Sequence, residues 1–256
     1  MPGLYIHIPF CKQACTYCDF HFSTSSTFRP ELVDAIAREL AFRAPQWKDQ
    51  TMNTIYFGGG TPSQLAPEEL EIILNSVQKH YRINPNAEFT FEANPEDLNE
   101  SYLKHLKASG INRLSIGIQS FRDEDLKQMN RAHDAKQAIN CVNQAADEGI
   151  RSISIDLIYG IPDLRNVDWI HQLNTAQKLP INHLSCYALT VEQGTPLAKL
   201  IKQGKRKNTD DEQAEKQFKL LQSWAEQNNF SHYEISNLAK PFGEAIHNSA
   251  YRSGES

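Results

Sequence analysis

Short apolar segments alternate with longer amphipathic segments along most of this chain, and this alternation limits the folds that it can adopt. The short segments favour β-strands, and the longer ones repeat apolar residues at helical spacing. The predicted strands cover 4–8, 54–58, 88–93, 113–118, 152–160 and 183–189, and the predicted helices between them cover 30–42, 67–81, 100–110, 135–149 and 167–179. Six consecutive β/α units predict a parallel sheet with helices packed outside it.

Polar residues at the strand ends favour a barrel over an open sheet. Glu92, Gln119 and Asp156 lie at or near the carboxyl ends of predicted strands, where barrel enzymes place their chemistry. An open nucleotide-binding sheet would carry a glycine-rich turn after its first strand, but here cysteines follow that strand. We therefore predict an α/β fold, a partial (β/α)6 TIM-like barrel.

The region after residue 190 is predicted to be less regular. A strongly charged segment at 202–216 is expected to be a solvated loop that leads into a helix through 217–230, and 232–236 is expected to form one more strand. We expect the barrel to span residues 1–240, and residues 241–256 to begin a truncated C-terminal region.

The overall composition gives no sign of a nucleic-acid or membrane partner. The chain has 256 residues, a net charge of −5 and a hydrophobic fraction of 40%, so no excess of positive charge favours polyanions. No apolar run approaches the roughly 18 residues of a spanning helix, and the N-terminus lacks the pattern of a signal peptide. We predict a cytoplasmic protein, where clustered cysteines indicate metal or redox chemistry and not a disulfide framework.

Three cysteines lie within eight residues, in "CKQACTYC", with the spacing C-x3-C-x2-C. A structural zinc site normally has four ligands, which His7 or His21 would complete beside Cys11, Cys15 and Cys18. A [4Fe–4S] cluster also takes four thiolates as a rule, so three would leave one iron open to a ligand. Both kinds of site are compatible with the spacing alone.

The segment "YIHIPFCKQACTYCDF" resembles the cluster loop of the radical S-adenosylmethionine proteins. The resemblance narrows to the oxygen-independent coproporphyrinogen III oxidases and their heme-chaperone relatives, and it continues through "IYFGGGTPS", "FEANPE", "RLSIGIQSF", "MNRAHD", "IDLIYGIP", "YALTVEQGTPL" and "HNSAY". It implies a partial (β/α)6 barrel with a [4Fe–4S] cluster on Cys11, Cys15 and Cys18. It also implies S-adenosylmethionine on the fourth iron, where the reduced cluster cleaves the sulfonium to a 5′-deoxyadenosyl radical.

The resemblance assigns further residues to S-adenosylmethionine. The implied contacts are Tyr5, Tyr17, Gly59, Gly60, Thr61, Glu92, Gln119, Arg131 and Asp156. Some have simpler explanations: the glycines suit a tight β/α turn, Arg131 could be a surface arginine, and Gln119 could be ordinary strand-end polarity. Asp156 is different, because a carboxylate inside an apolar strand requires a partner or a ligand.

Two departures from the oxidase pattern favour the heme chaperones. The oxidases have a further cysteine two residues after the third, where this chain has Phe20, and they have a longer segment before the cluster. The resemblance makes His247 in "HNSAY" a candidate heme ligand and an unidentified protein the heme acceptor. Beyond Tyr251 the pattern is lost, since Arg252 stands where the family has tryptophan. The family's C-terminal domain, which would supply much of the apolar wall of a heme site, does not follow, so heme binding is expected to be weak. A coproporphyrinogen III oxidase-like radical enzyme remains the alternative function, and a zinc-binding module is a weaker one.

Overall fold

The computed structural model describes residues 2–253, with side chains as far as Ala250. The strands within this range are β1 (Gly3–Ile8), β2 (Thr51–Gly59), β3 (Arg82–Ala93), β4 (Arg113–Gln119), β5 (Ser152–Tyr159), β6 (His183–Ala188), β7 (Ser231–His232) and β8 (Asn237–Ala239). The helices are α1 (Arg29–Arg43), α2 (Pro67–His80), α3 (Glu100–Ala108), α4 (Asp123–Gln128), α5 (Ala135–Asp147), α6 (Asn166–Gln177), α7 (Pro196–Lys202), α8 (Asp211–Gln227) and α9 (Ile246–Ser253).

The first six strands form one parallel sheet in sequence order, from β1 to β6. Strand β8 then pairs antiparallel with β6, and β7 pairs antiparallel with β8. In the part of the chain that is described, β1 and β7 are the two edges, and no hydrogen-bonded ladder joins them. This architecture confirms the predicted partial barrel.

Burial on both faces explains why the central strands are nearly continuous apolar runs. Most residues of β4 and β5 are buried, as expected for parallel strands covered by helices outside and side chains inside. The helices begin where local sequence favours it. Proline occupies the first turn of α1 and α2, and Asp134 and Gln137 form a reciprocal capping box at the start of α5.

The predicted strand at 232–236 is wrong. Strand β7 ends at His232, the chain turns, and it returns as β8 from Asn237. In this turn the Glu234 carboxylate accepts a hydrogen bond from the backbone N–H of Ser236. The alternating pattern of the segment does not reflect burial on one face, since Ile235 is 80% exposed.

Several elements near the C-terminus differ in extent from the prediction. Helix α8 begins at Asp211, inside the segment expected to be a loop, because the Asp210 side chain caps its first turn. Helices α4 and α7 were not predicted, since each is only about two turns long. The proposed division at residue 240 remains a prediction, and residues 254–256 lie outside the described range. No helix within that range is long and apolar enough to cross a membrane.

Candidate functional site

The three neighbouring cysteines lie on a closed loop at the carboxyl end of β1. The backbone N–H of Cys11 donates to the Ser23 carbonyl over 2.9 Å, and the N–H of Ser23 donates to the Pro9 carbonyl over 2.7 Å. These two bonds join the ends of the loop, which we call the cysteine loop (residues 9–23). The loop therefore projects from the end of the barrel at which the parallel strands finish.

Two other segments fix the cysteine loop from outside. The backbone N–H of Thr16 donates to the Met129 carbonyl over 3.0 Å, and the Asn130 side chain donates to the Ala14 carbonyl over 2.7 Å. Asn130 adopts φ 58°, a left-handed conformation that asparagine tolerates well. On the other side, the N–H of Leu197 donates to the Thr16 carbonyl over 2.8 Å. These bonds hold the middle of the loop, where the cysteines lie.

The sulfur atoms are half-buried and contact polar groups of the barrel. Thr61 Oγ1 lies 3.4 Å from Cys11 Sγ, and Arg131 Nη1 lies 3.3 Å from Cys15 Sγ. Burial raises the pKa values of the Cys11 and Cys18 thiols. Thiolates in this environment therefore need compensating positive charge, which a bound metal centre supplies.

The glycine loop after β2 packs directly on the cysteine loop. A Cβ atom on Gly60 would lie 2.9 Å from the Pro9 carbonyl carbon and 3.1 Å from Cys11 Sγ. Gly59 adopts φ 120°, which L-residues rarely adopt, and a Cβ there would lie 2.7 Å from the His7 ring. Close approach therefore requires glycine at both positions, and the backbone conformation requires it at Gly59 as well.

Glu92 lies at the end of β3 with its carboxylate directed towards β2. It accepts hydrogen bonds from the Tyr56 hydroxyl over 2.7 Å and from the backbone N–H of Gly59 over 3.2 Å. Burial, the largest cause, raises the pKa of Glu92 to about 7, and the nearby Asp156 carboxylate adds to the rise. Near neutral pH this group is therefore poised between its charged and uncharged forms.

Asp156 on β5 has the partners that its position inside an apolar strand requires. The hydroxyls of Ser185 and Ser115 donate hydrogen bonds to its carboxylate, and Arg131 and Arg113 supply favourable charge. Burial nevertheless raises the pKa of Asp156 to about 6. Glu92 and Asp156 both line a polar cavity of about 60 Å³ inside the barrel, which is room for about two water molecules.

Arg131 is not a surface residue. Its Nη2 atom donates to Asn94 Oδ1 over 2.6 Å and to the Gly117 carbonyl over 2.7 Å. Its buried Nε atom has no hydrogen-bond partner among the described residues. Gln119, at φ 71°, lies beside it, since a Cβ on Gly117 would be 2.9 Å from Gln119 Nε2. Arg131 thus joins the cysteine loop to the strand ends and retains a donor for a ligand.

The predicted contacts Tyr17, Tyr5 and His247 lie in two regions. Tyr17 is on the cysteine loop, whereas Tyr5 and His247 both lie beside Tyr56. Burial raises the pKa of the Tyr17 hydroxyl. Tyr5 on β1 stacks on Tyr56, with ring centroids 5.8 Å apart, and is 47% exposed. Tyr56 in turn lies against His247, with ring centroids 4.8 Å apart.

His247 lies nearer the opposite end of the barrel from the cysteine loop. Its Nδ1 atom is 2.8 Å from Thr54 Oγ1, and its backbone N–H donates to the Glu88 carboxylate. Thr54 pairs with Gly3 on β1 and the cysteine loop follows Ile8, a separation of about 16 Å along the strand at about 3.3 Å per residue. His247 is also only 7% exposed, so heme ligation by this side chain would require α9 to move.

Several residues of this site escaped the sequence prediction. Asn94 and Tyr56 hold Arg131 and Glu92 in place. His133 is buried between the Glu96 carboxylate and the Ile118 carbonyl, which fixes the loop that carries Arg131. All three lie within motifs quoted above, two or three residues from a predicted contact, and that proximity was the available signal.

These observations fit a cluster with an organic ligand at the barrel end. Three half-buried thiols lie beside a glycine cradle that a Cβ would fill, and a buried arginine donor lacks a protein partner in the described part of the chain. Within residues 2–253, no group of three or more His, Cys, Asp or Glu side chains is arranged to hold a single metal ion.

Comparison with known proteins decides between the two kinds of metal centre. A profile of the Radical SAM superfamily matches residues 5–173. The heme chaperone HemW of Bacillus subtilis strain 168 is 35% identical over 257 aligned residues, which cover 100% of this chain and 68% of that protein. The chain belongs to the radical SAM superfamily and, within it, to the HemW family. Radical SAM membership assigns it a [4Fe–4S] cluster and S-adenosylmethionine, so the zinc alternative is set aside.

Two further similarities agree with this assignment. HemW of Mycobacterium tuberculosis strain H37Rv is 35% identical over 98% of this chain and 66% of its own length. The solved structure of coproporphyrinogen III oxidase (HemN) from Escherichia coli has a TM-score of 0.85 and 27% identity, covering 99% of this chain and 58% of that one. The chain thus spans about two thirds of the length of these HemW relatives.

Proposed function

We propose that this protein is a heme chaperone, which binds heme and transfers it to an acceptor protein while it holds a [4Fe–4S] cluster with exchangeable S-adenosylmethionine. Its bacterial HemW relatives support the heme part of this proposal. The fit of the cysteine loop and strand ends supports the cluster part. The proposed acceptor is a protein, and the predicted location is the cytoplasm.

In this proposal Cys11, Cys15 and Cys18 bind three irons of the cluster through their thiolates. When bound, the reduced cluster supplies the electron that cleaves the sulfonium of S-adenosylmethionine. Gly59, Gly60 and Thr61 admit the methionine part of S-adenosylmethionine close to the backbone. The side chains proposed to contact S-adenosylmethionine are those of Tyr5, Tyr17, Glu92, Gln119, Arg131 and Asp156. The roles of these residues rest on the geometry above and on family resemblance.

One observation favours the chaperone over the oxidase. Phe20, where the oxidases carry an additional cysteine, is 71% exposed on the cysteine loop. A phenyl ring cannot bind iron, so this position lacks the thiol that the oxidases have there. The oxidase remains the second candidate, because the fold overlaps closely with the oxidase structure, at a TM-score of 0.85.

An anaerobic comparison of two activities tests the proposal. The reconstituted chain should bind heme in a spectroscopic titration. When heme-loaded chain is mixed with an excess of an apo-hemoprotein and the two proteins are then separated by gel filtration, the heme should be found with the acceptor. It should form no protoporphyrinogen IX from coproporphyrinogen III with S-adenosylmethionine and a reductant. Product formation without heme binding would refute the chaperone and favour the oxidase.

The role of His247 as a heme ligand stays a prediction. The His247→Ala variant should shift the Soret band or lower heme occupancy, because imidazole is a common axial ligand of heme iron. Thr54→Val is the matched control, since it removes the Nδ1 partner of His247 and leaves the imidazole in place. Identical heme spectra and affinities in His247→Ala and the unaltered chain would exclude this ligand.

A further inference from the structure

A cavity lined in part by the cysteine loop opens beside that loop. Its volume is about 150 Å³, and its apolar lining includes Tyr17, Met129, Ile161 and Leu197. Tyr17 also belongs to the cysteine loop, so one wall of this cavity is shared with the proposed cluster site. We call it the Tyr17 cavity.

The rim of the Tyr17 cavity is basic. Three consecutive cations, Lys205, Arg206 and Lys207, line it together with one carboxylate, that of Asp163. Lys207 Nζ pairs with Asp163 at 2.6 Å, and both side chains are mostly exposed. The rim therefore has two net positive charges in a chain whose total charge is −5.

Two of these cations have no carboxylate partner. No ion pair joins the Lys205 or Arg206 side chain to another described residue within 4.0 Å, although Arg206 is half-buried. A partly desolvated guanidinium without an anion is unfavourable, and its planar donors suit a carboxylate well. The local chemistry thus favours an amphiphilic ligand with an apolar body and acidic groups.

We infer that the Tyr17 cavity receives the propionate-bearing edge of a tetrapyrrole, with Arg206 and Lys205 binding the carboxylates. This inference rests on the proposed heme-chaperone function and gives that function a binding site. A volume of about 150 Å³ is below the usual range for whole small-molecule ligands, about 300 Å³ or more. The cavity would therefore hold one edge of the macrocycle and leave the rest of the ring outside. Because His247 lies beside Thr54, nearer the opposite end of the barrel, this site and heme ligation by His247 are alternatives, and the heme spectrum of His247→Ala separates them.

Charge reversal on the rim tests the inference. In the double variant Lys205→Glu/Arg206→Glu, the dissociation constant for heme should rise at least about tenfold, because two charge-assisted contacts are lost. The matched control is Lys199→Glu/Lys202→Glu, which makes the same change in net charge on two exposed residues of α7 that do not line the cavity. Its heme affinity should stay within about twofold of the unaltered chain.

Two further titrations test whether the cations of the rim recognise the heme propionates. The dimethyl ester of heme, which has no free propionates, should bind both double variants and the unaltered chain with similar affinity. S-adenosylmethionine should perturb the cluster EPR signal of both variants as it does that of the unaltered chain, which also shows that each variant folds. Loss of that EPR response in the rim variant alone would assign the cations to S-adenosylmethionine and overturn the inference.

The outcomes separate this site from the function on which it rests. If the unaltered chain binds heme and the rim variant binds it equally well, the Tyr17 cavity is not the site and the chaperone proposal stands. An equal loss of affinity for heme and for its dimethyl ester would also refute carboxylate recognition. If the unaltered chain and both variants bind no heme, the chaperone proposal and this site both fail.

Discussion

The affinity for S-adenosylmethionine should fall as the pH is lowered through neutrality, because Glu92 becomes a weaker hydrogen-bond acceptor and loses its negative charge when it is protonated. Its carboxylate lies between Tyr56 and the backbone of Gly59, with Asp156 nearby on β5. A carboxylate accepts hydrogen bonds from ribose hydroxyls far better in its charged form, which also attracts a sulfonium. Protonation removes both contributions.

The size of the effect follows from the pKa of about 7 for Glu92. With that value, about one eleventh of the protein has ionised Glu92 at pH 6, and about ten elevenths at pH 8. If only the ionised form binds, the apparent dissociation constant is inversely proportional to this fraction. Binding should therefore weaken about tenfold between pH 8 and pH 6.

Anaerobic titrations followed by the cluster EPR signal measure this change, and two variants isolate its origin. The amino group of S-adenosylmethionine also titrates near pH 8. The quantity to follow is therefore the ratio of the dissociation constants of the unaltered chain and of Glu92→Gln at each pH. Glu92→Gln should bind S-adenosylmethionine more weakly at pH 8, and its affinity should lose the part of the pH dependence that comes from this carboxylate. Tyr56→Phe should move the midpoint to higher pH, because the Tyr56 hydrogen bond favours the charged form of Glu92.

Ionisation of Glu92 should strengthen S-adenosylmethionine binding but lower the free energy of unfolding. The pKa of Glu92 is raised from 4.5 to about 7 in the folded chain, so the folded state retains a proton that the unfolded state loses. Its contribution to the free energy of unfolding therefore falls as the pH rises from about 4.5 to about 7. At pH 8, Glu92→Gln should be more stable than the unaltered chain by at most about 3 kcal/mol. If the affinity for S-adenosylmethionine has the same pH dependence in Glu92→Gln and in the unaltered chain, Glu92 is not the group that controls binding.

Three further predictions concern the cysteine loop and the glycine loop that packs on it. Cys15→Ala should abolish the cluster, seen as loss of the brown colour and of about four irons per chain, while Cys141→Ala, a buried cysteine on α5, should keep it. Gly60→Ala should disrupt cluster or S-adenosylmethionine binding, because its Cβ would lie 2.9 Å from Pro9; normal EPR titration of this variant would contradict the proposed cradle. Phe20→Cys should not create coproporphyrinogen III oxidase activity, and product formation by that variant would show that one cysteine separates the two functions.

The residues that sequence could locate are those whose roles are set locally. The spacing of Cys11, Cys15 and Cys18 fixes three thiols on one short loop in any fold that exposes it. The six parallel strands were predicted for a similar reason, since burial on both faces leaves continuous apolar runs. The need of Asp156 for a partner was also predictable, because an isolated carboxylate in such a run is unfavourable.

The features that sequence missed depend on contacts between distant segments. Arg131 was predicted as a cofactor contact, but sequence could not exclude a surface arginine, because its burial arises only when the loop after α4 folds over Asn94 and Gly117. The Tyr17 cavity is likewise formed by segments that are far apart in sequence, including 16–17, 128–129 and 205–207. The alternating residues at 232–236 suggested a strand, but the chain turns there to make a short hairpin.

The central claim is that three cysteine thiolates hold a [4Fe–4S] cluster whose fourth iron is open to S-adenosylmethionine. Mössbauer spectroscopy of chain reconstituted with ⁵⁷Fe tests it most directly, because each iron contributes its own signal. We predict that S-adenosylmethionine changes the signal of one iron in four and leaves the other three unchanged. A spectrum that S-adenosylmethionine does not alter, or reconstituted protein that takes up no iron, would contradict the claim.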